Sequence, residues 1–113
     1  MSITSDMIRG HIDTIILAHL TNEDSYGYQI NKTVREKTGN QYEIKEATLY
    51  SAFRRMEESS LISSYWGNEE VGARRRYYAI TSLGKAVLDK NREDWKDAKK
   101  IIDKLIIGGS ENV

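Results

Sequence analysis

The chain predicts a mainly α protein with one small β-hairpin, an α+β class, and three observations carry that prediction. Apolar residues recur at helical spacing in four stretches, Ile8 to Leu20, Ile30 to Val34, Leu49 to Met56 and Leu88 to Leu105. Two short runs, Ile62-Ser-Ser-Tyr-Trp66 and Arg75-Arg-Tyr-Tyr-Ala-Ile80, are instead rich in aromatic and β-branched residues. The Gly67-Asn68-Glu69-Glu70-Val71-Gly72-Ala73 segment between them supplies turn chemistry, and no proline interrupts the helices. A short helix beside a basic hairpin is the layout of a winged helix-turn-helix. In that layout the helix enters the major groove of DNA and the hairpin wing reaches the flanking backbone. The expected organisation is a winged helix-turn-helix over residues 1–80, then a carboxy-terminal dimerisation helix and short tail over residues 81–113.

Length and composition narrow the function. At 113 residues there is room for one domain and little more than one core. No apolar run is long enough to span a bilayer, and no signal peptide is recognisable. Cysteine is absent, which excludes a disulfide framework and a thiolate metal site. A soluble cytoplasmic protein without membrane partner or cofactor is expected. Lys and Arg total 17 and Asp and Glu total 17, so net charge gives no steering toward a polyanion. Distribution matters more than the sum. Arg54, Arg55, Arg74, Arg75 and Arg76 gather on the helix–hairpin unit, while many acids sit on the flanking helices.

Taken in order, the first helix should run from Ser5 to about Leu20, capped by Ser5 or Asp6, with Ile8, Ile12, Ile15, Ile16 and Leu20 as its core stripe. Met7, His11, Thr14 and Ala18 fall within about 60° of one another at 100° per residue, a second face that meets either a partner or solvent. Disorder is expected only at Met1 to Thr4 and beyond Gly108-Gly109, a double stop signal. Thr21 to Ser25 is loop and cap chemistry. The second helix follows from about Ser25 to Thr38, with Ile30 and Val34 inward, and ends at Gly39-Asn40. Gly27 costs helix propensity but permits a close helix contact.

The third helix is the candidate recognition helix. Leu49, Ala52, Phe53 and Met56 form its apolar stripe, leaving other faces for DNA. Thr48, Ser51 and Arg55 share one face, Tyr50 and Arg54 another, and Lys45 stands at the start. Hydroxyls suit phosphates, and arginine suits phosphate or guanine. The bland alternative is a solvated surface on which Arg54 and Arg55 pair with Glu57 and Glu58. In the wing, alternation puts Arg76, Tyr78 and Ile80 on one face and Arg75, Tyr77 and Ala79 on the other, with Tyr78 and Ile80 toward the core. Arg74 and Arg75 follow the turn and are placed for phosphate or minor-groove contact. The acidic tip, Glu69 and Glu70, would repel a phosphate backbone unless the wing bends away.

Thr81 or Ser82 should cap a last helix reaching about Ile107. Leu88, Asn91, Trp95, Ala98, Ile102 and Leu105 follow spacings of 3, 4, 3, 4 and 3, a heptad seam between charged positions. So long a seam cannot be buried by an 80-residue domain alone, so a homodimer is expected, with helix one's second face as the surface that meets the seam. Trp95 in mid-seam beside Ala98 and Asn91 packs loosely across a two-fold axis. Either the paired indoles leave a slot for a flat apolar ligand, or the Trp fills the interface with its N–H bonded to a neighbour.

The residues also resemble a known family. Gly27-Tyr28-Gln29-Ile30, Ala47-Thr48-Leu49-Tyr50, Arg54-Arg55-Met56-Glu57, Leu61-Ile62 and Arg76-Tyr77-Tyr78-Ala79-Ile80-Thr81 with Gly84 resemble the PadR family of bacterial winged-helix transcriptional regulators, across nearly the whole chain. Glu46-Ala-Thr-Leu-Tyr50, Ile62 to Gly67 and the single last helix with Trp95 look closest to its small multidrug-responsive, LmrR-like branch. The resemblance implies a homodimer that represses a promoter, often a transporter's, and binds planar hydrophobic compounds in a central pore flanked by the paired tryptophans. The expected ligand-site residues are Trp95, Met7, Thr14, Ala18 and Lys99. Two features depart from the pattern. Ser51 stands where many relatives have proline, and a cationic Lys99 disfavours cationic drugs.

Two other classes were weighed. As an enzyme the chain lacks a nucleophile elbow and a phosphate-cradling glycine loop, and its only histidines, His11 and His19, have no third metal ligand at a usable spacing. No catalytic and no metal site is expected. A winged-helix module that binds protein rather than DNA is the alternative that zero net charge and the acidic tip keep open, since fold does not fix function. Salt separates it from a DNA reader, because phosphate contacts weaken steeply as salt rises.

Overall fold

The computed structural model describes residues 3–68 and 74–108. Helix α1 (Ile3–Ile8), a single 3-10 turn (Arg9–His11) and α2 (Ile12–Leu20) are followed by α3 (Gly27–Lys37), α4 (Glu46–Glu58), the hairpin β1 (Ile62–Trp66) and β2 (Arg76–Ile80), and the long α5 (Ser82–Ile106). This is the expected mainly helical class with one two-stranded antiparallel sheet. The wing tip, including Glu69 and Glu70, and the chain ends lie outside the described residues.

The first helix departs from the expectation in three ways. It begins at Ile3, so Ser5 and Asp6 lie inside it and are not its cap, and Ile3 and Thr4 belong to regular structure. It is also not one helix, because the 3-10 turn around Gly10 tightens the chain between α1 and α2. Gly10 lacks a side chain to hold the wider helix and meets nothing in the space around it. The predicted stripe itself is correct: Ile12, Ile16 and Leu20 are buried and Ile8 and Ile15 pack against them, joined by Leu17.

α3 starts at Gly27, two residues later than expected. Ser25 is held instead in a β-bridge to Tyr78, with backbone bonds of 3.1 Å and 2.7 Å between the two residues. The stop at Gly39-Asn40 is as expected, both residues having positive φ of 59° and 65°. Asn31 on α3 then sets the turn into α4. Its side-chain amide donates to the Ile44 carbonyl at 2.7 Å, and its oxygen accepts from the Ile44 N–H at 2.8 Å. Both backbone groups of a buried loop residue are thereby satisfied, which the turn requires.

The core gathers α2, α3, α4 and the hairpin around Phe53, with Ile16, Leu17, Ile30, Ile44, Leu49, Met56 and Ile62 buried beside it. Tyr78 of β2 stacks on Phe53 at 3.9 Å between centroids, which fastens the wing to α4. The hairpin register pairs Ile62 with Ile80 and Trp66 with Arg76. β2 starts at Arg76, one residue after the expected start.

Thr81 caps α5, accepting from the Gly84 N–H at 3.0 Å while its hydroxyl donates to the Ser60 and Leu61 carbonyls. Gly84 is required there. A Cβ at this position would lie 2.2 Å from the Leu61 carbonyl oxygen and 2.8 Å from Ile80 Cγ1. One turn on, Leu88 enters the core, but beyond Trp95, which still meets His11, the helix leaves the body of the protein. The radius of gyration is accordingly 16.4 Å, against about 13 Å for a compact chain of this length, and the longest extent is 60 Å. No helix among the described residues is long and apolar enough to cross a membrane.

Candidate nucleic-acid interface

α4 buries Leu49, Ala52, Phe53 and Met56, so its outward surface is centred on Ala47, Ser51, Arg54 and Glu58. Lys45, Thr48, Tyr50, Ser51, Arg54 and Arg55 are all exposed. They do not share one surroundings. Thr48, Ser51 and Arg55 line a groove of about 570 Å³ whose other wall is Arg9, Gly10, Asp13 and Thr14, with Asn91 at one end. Arg55 crosses that groove to an ion pair with Asp13 of α2. The bland alternative, pairing with Glu57 and Glu58, is not what the side chain does. Glu57 instead accepts from Ser64 and pairs with Arg76 at 3.8 Å.

Tyr50 lies on the other flank. Its ring meets Phe53 edge-on at 5.4 Å, and its hydroxyl fills the space above Gly27, where a Cβ would come within 2.6 Å of that oxygen. Here the close contact expected of Gly27 is between α3 and α4. Arg54 remains on the open surface between the two flanks.

The wing carries cations on both of its faces. On one, Arg74 and Arg76 both stand over the Trp66 ring, at 5.6 Å and 5.3 Å from its centre. On the other, Arg75 lies 4.8 Å over Tyr26, Tyr26 meets Tyr77 edge-on, and Tyr77 stacks on Tyr65. Tyr65 donates to Asp24 at 2.6 Å, which ties the wing to the α2–α3 loop. That hydrogen bond, with smaller contributions from burial and the nearby charge, pushes the Tyr65 pKa up to about 12. Trp66 and Tyr26 were not singled out from sequence. The signal was present, in aromatics placed across a hairpin from an arginine run.

Part of the second face of helix one is covered, at His11 and Thr14, while Met7 is open. The covered part meets α5 of the same chain. His11 stands edge-on to Trp95 at 5.0 Å, and Asn91 donates to the Thr14 hydroxyl at 2.9 Å. Ala18 packs against the core and Met7 is 73% exposed. Lys99 is exposed one turn beyond Trp95. His19 is half-buried at the end of α2, where burial and then the Lys37 charge hold its pKa below the usual value, with Glu23 opposing. Among the described residues no cluster of His, Asp and Glu could hold a metal.

An α3–α4 pair with a fixed turn, an open basic helix surface and an arginine-bearing hairpin define a winged helix-turn-helix of the DNA-binding class. The comparisons agree. The model of the transcriptional regulator PadR-like family matches residues 16–90. A transcriptional regulator from Clostridium thermocellum superposes with a TM-score of 0.84 at 50% identity, covering 90% of this chain and 99% of that one. A PadR family transcription regulator from hypervirulent Clostridium difficile gives 0.76 at 40% identity, over 85% and 98%. An uncharacterised protein of Lysinibacillus sphaericus is 45% identical over 106 residues, 94% of this chain and 97% of that one. This chain belongs to the PadR-like family of transcriptional regulators, whose members bind DNA and are not enzymes.

Proposed function

We propose that the chain is a homodimeric repressor that reads a pseudo-palindromic operator, with residues 1–80 as the DNA-binding unit and residues 81–113 as the dimerisation arm. The observation that carries this is the bare seam of α5: Trp95 and Ile102 are each 47% exposed and Leu105 is 78% exposed, on a helix that has left the core. Leu88, Asn91, Trp95, Ala98, Ile102 and Leu105 would meet their counterparts or the partner's helices, since exposed apolar stripes of this length mark association surfaces. Lys45, Thr48, Tyr50, Ser51, Arg54 and Arg55 then face the major groove and Arg74 and Arg75 the flanking backbone. Arg55 must release Asp13 or share it to do so.

A flat apolar ligand fits the same reading. The Trp95 indole meets His11 edge-on and is 47% exposed, and Met7, Thr14, Ala18 and Lys99 are the residues proposed to line the site with it. In a dimer two such rings lie near the axis, and a compound stacked there would change the spacing of the two α4 helices.

Selection from random duplexes tests the operator. It should return a symmetric motif with half-sites about one helical turn apart, roughly 34–36 Å, and affinity should fall steeply with salt. An asymmetric or salt-insensitive result leaves the protein-binding module as the better account. For the ligand, planar dyes added to a Trp66→Phe background should quench Trp95 and lower operator affinity, and operator DNA must weaken dye binding by the same factor. Dyes that change neither signal would make Trp95 an interface filler.

A further inference from the structure

Trp66 sits at the last paired position of β1, directly opposite Arg76 and diagonal to Arg74. It is 52% exposed, so the core does not explain a residue of this size. Both guanidiniums lie within the range at which the electron-rich face of an indole attracts a cation. The two arginines then differ. Arg76 has its charge answered by Glu57 of α4, which is itself fixed by the Ser64 hydroxyl. Arg74 has no carboxylate partner among the described residues. The chain of contacts therefore runs from the recognition helix outward, Glu57, Arg76, Trp66, Arg74, and ends on a cation that meets no carboxylate among the described residues.

We infer that Trp66 is a positioning residue for DNA binding, holding Arg74 extended along the wing so that its guanidinium meets a backbone phosphate flanking the recognition helix. The inference rests on the DNA reading above and adds to it the device that aims the wing. A long arginine loses rotamer freedom when it binds, and an indole that restricts it beforehand removes part of that cost. The anchoring of Arg76 on Glu57 also fixes the wing's angle to α4, so that phosphate and base contacts are made in one register.

The test uses the full chain and the duplex recovered by selection. Arg74→Ala should weaken binding about tenfold across all sequences and lower the salt slope by about one unit. Trp66→Ala should reproduce most of that loss, and the double variant should bind no worse than Arg74→Ala alone, because the indole acts only through the arginine. Trp66→Phe keeps a π face and should restore most of the affinity. Trp66→Leu, apolar without a π face, should not. In the free protein, the ring-current shifts of the Arg74 and Arg76 side-chain protons should persist in the Phe variant and vanish in the Leu variant. Unchanged affinity in Trp66→Ala, equal rescue by Leu and Phe, or additive losses in the double variant would each overturn the inference while leaving DNA binding intact. A wild-type chain that binds no duplex would overturn the DNA reading and this inference with it.

Discussion

Leu49, Ala52, Phe53 and Met56 on α4 and Leu88 through Leu105 on α5 are apolar stripes of similar helical period, yet the first is covered along its whole length and the second only at its start. α4 is enclosed by α2, α3 and the hairpin, so each position of its stripe has a neighbour across from it. α5 has such neighbours only as far as Leu88, the Asn91–Thr14 bond and the contact of Trp95 with His11. Periodicity reports that a face is apolar. Burial depends on what the rest of the chain can bring to that face, and a core built by some 80 residues does not reach the far end of a helix about 37 Å long. In one helix the stripe serves folding, and in the other most of it is left open.

That contrast can be broken from either side. The largest effect is expected from Phe53→Ala, which removes the ring on which Tyr78 stacks at the centre of the core. A loss of about 3–5 kcal/mol in urea unfolding is expected, enough to unfold much of a marginal domain. A loss below 1 kcal/mol would mean that α4 is not the centre of the core. Gly84→Ala should cost about 1–3 kcal/mol, because the new methyl meets the fixed Leu61 carbonyl where α5 starts.

Leu105→Asp should leave the melting of the winged-helix unit within about 0.5 kcal/mol of wild type, as surface changes do. It should nevertheless shift the mass measured by light scattering from dimer to monomer. A variant that melts early, or stays dimeric, would show the far seam to be something other than a free association surface. Arg55→Ala should weaken operator binding by about 1–3 kcal/mol if the side chain reaches a base, while Asp13→Ala should leave Arg55 free and change affinity by less. Equal binding by both variants would confine Arg55 to its tie with α2.

The smallest effect concerns His19. Its folded pKa is held below the ordinary 6.5, first by burial and then by Lys37, so below that pH the unfolded chain takes up a proton that the folded chain resists. Stability present above pH 6.5 should therefore fall as the pH drops through the acid side of that value. His19→Gln should flatten this slope in urea midpoints compared at pH 7.5 and 5.5. An unchanged slope would assign the acid sensitivity to the carboxylates.

Much of this was legible in the residues alone. The apolar periods of α2, α3, α4 and α5, the glycine and asparagine that end α3, the hydroxyl of Thr81 and the alternation in β2 are local signals, because helix, strand and cap geometry are set by residues a few positions apart. The basic helix–hairpin unit was legible for the same reason, as five arginines close in sequence. Not legible were the bond from Arg55 to Asp13, the seat of His11 on Trp95, the Asn31 clasp on Ile44 and the contact of Trp66 with two arginines. Each joins residues by a contact no periodicity encodes, and several side chains of the same chemistry competed for each place. Arg55 had Glu57 and Glu58 near in sequence, but the turn at Gly10 brought Asp13 across the groove, and the packing of α2 on α4 decided between them.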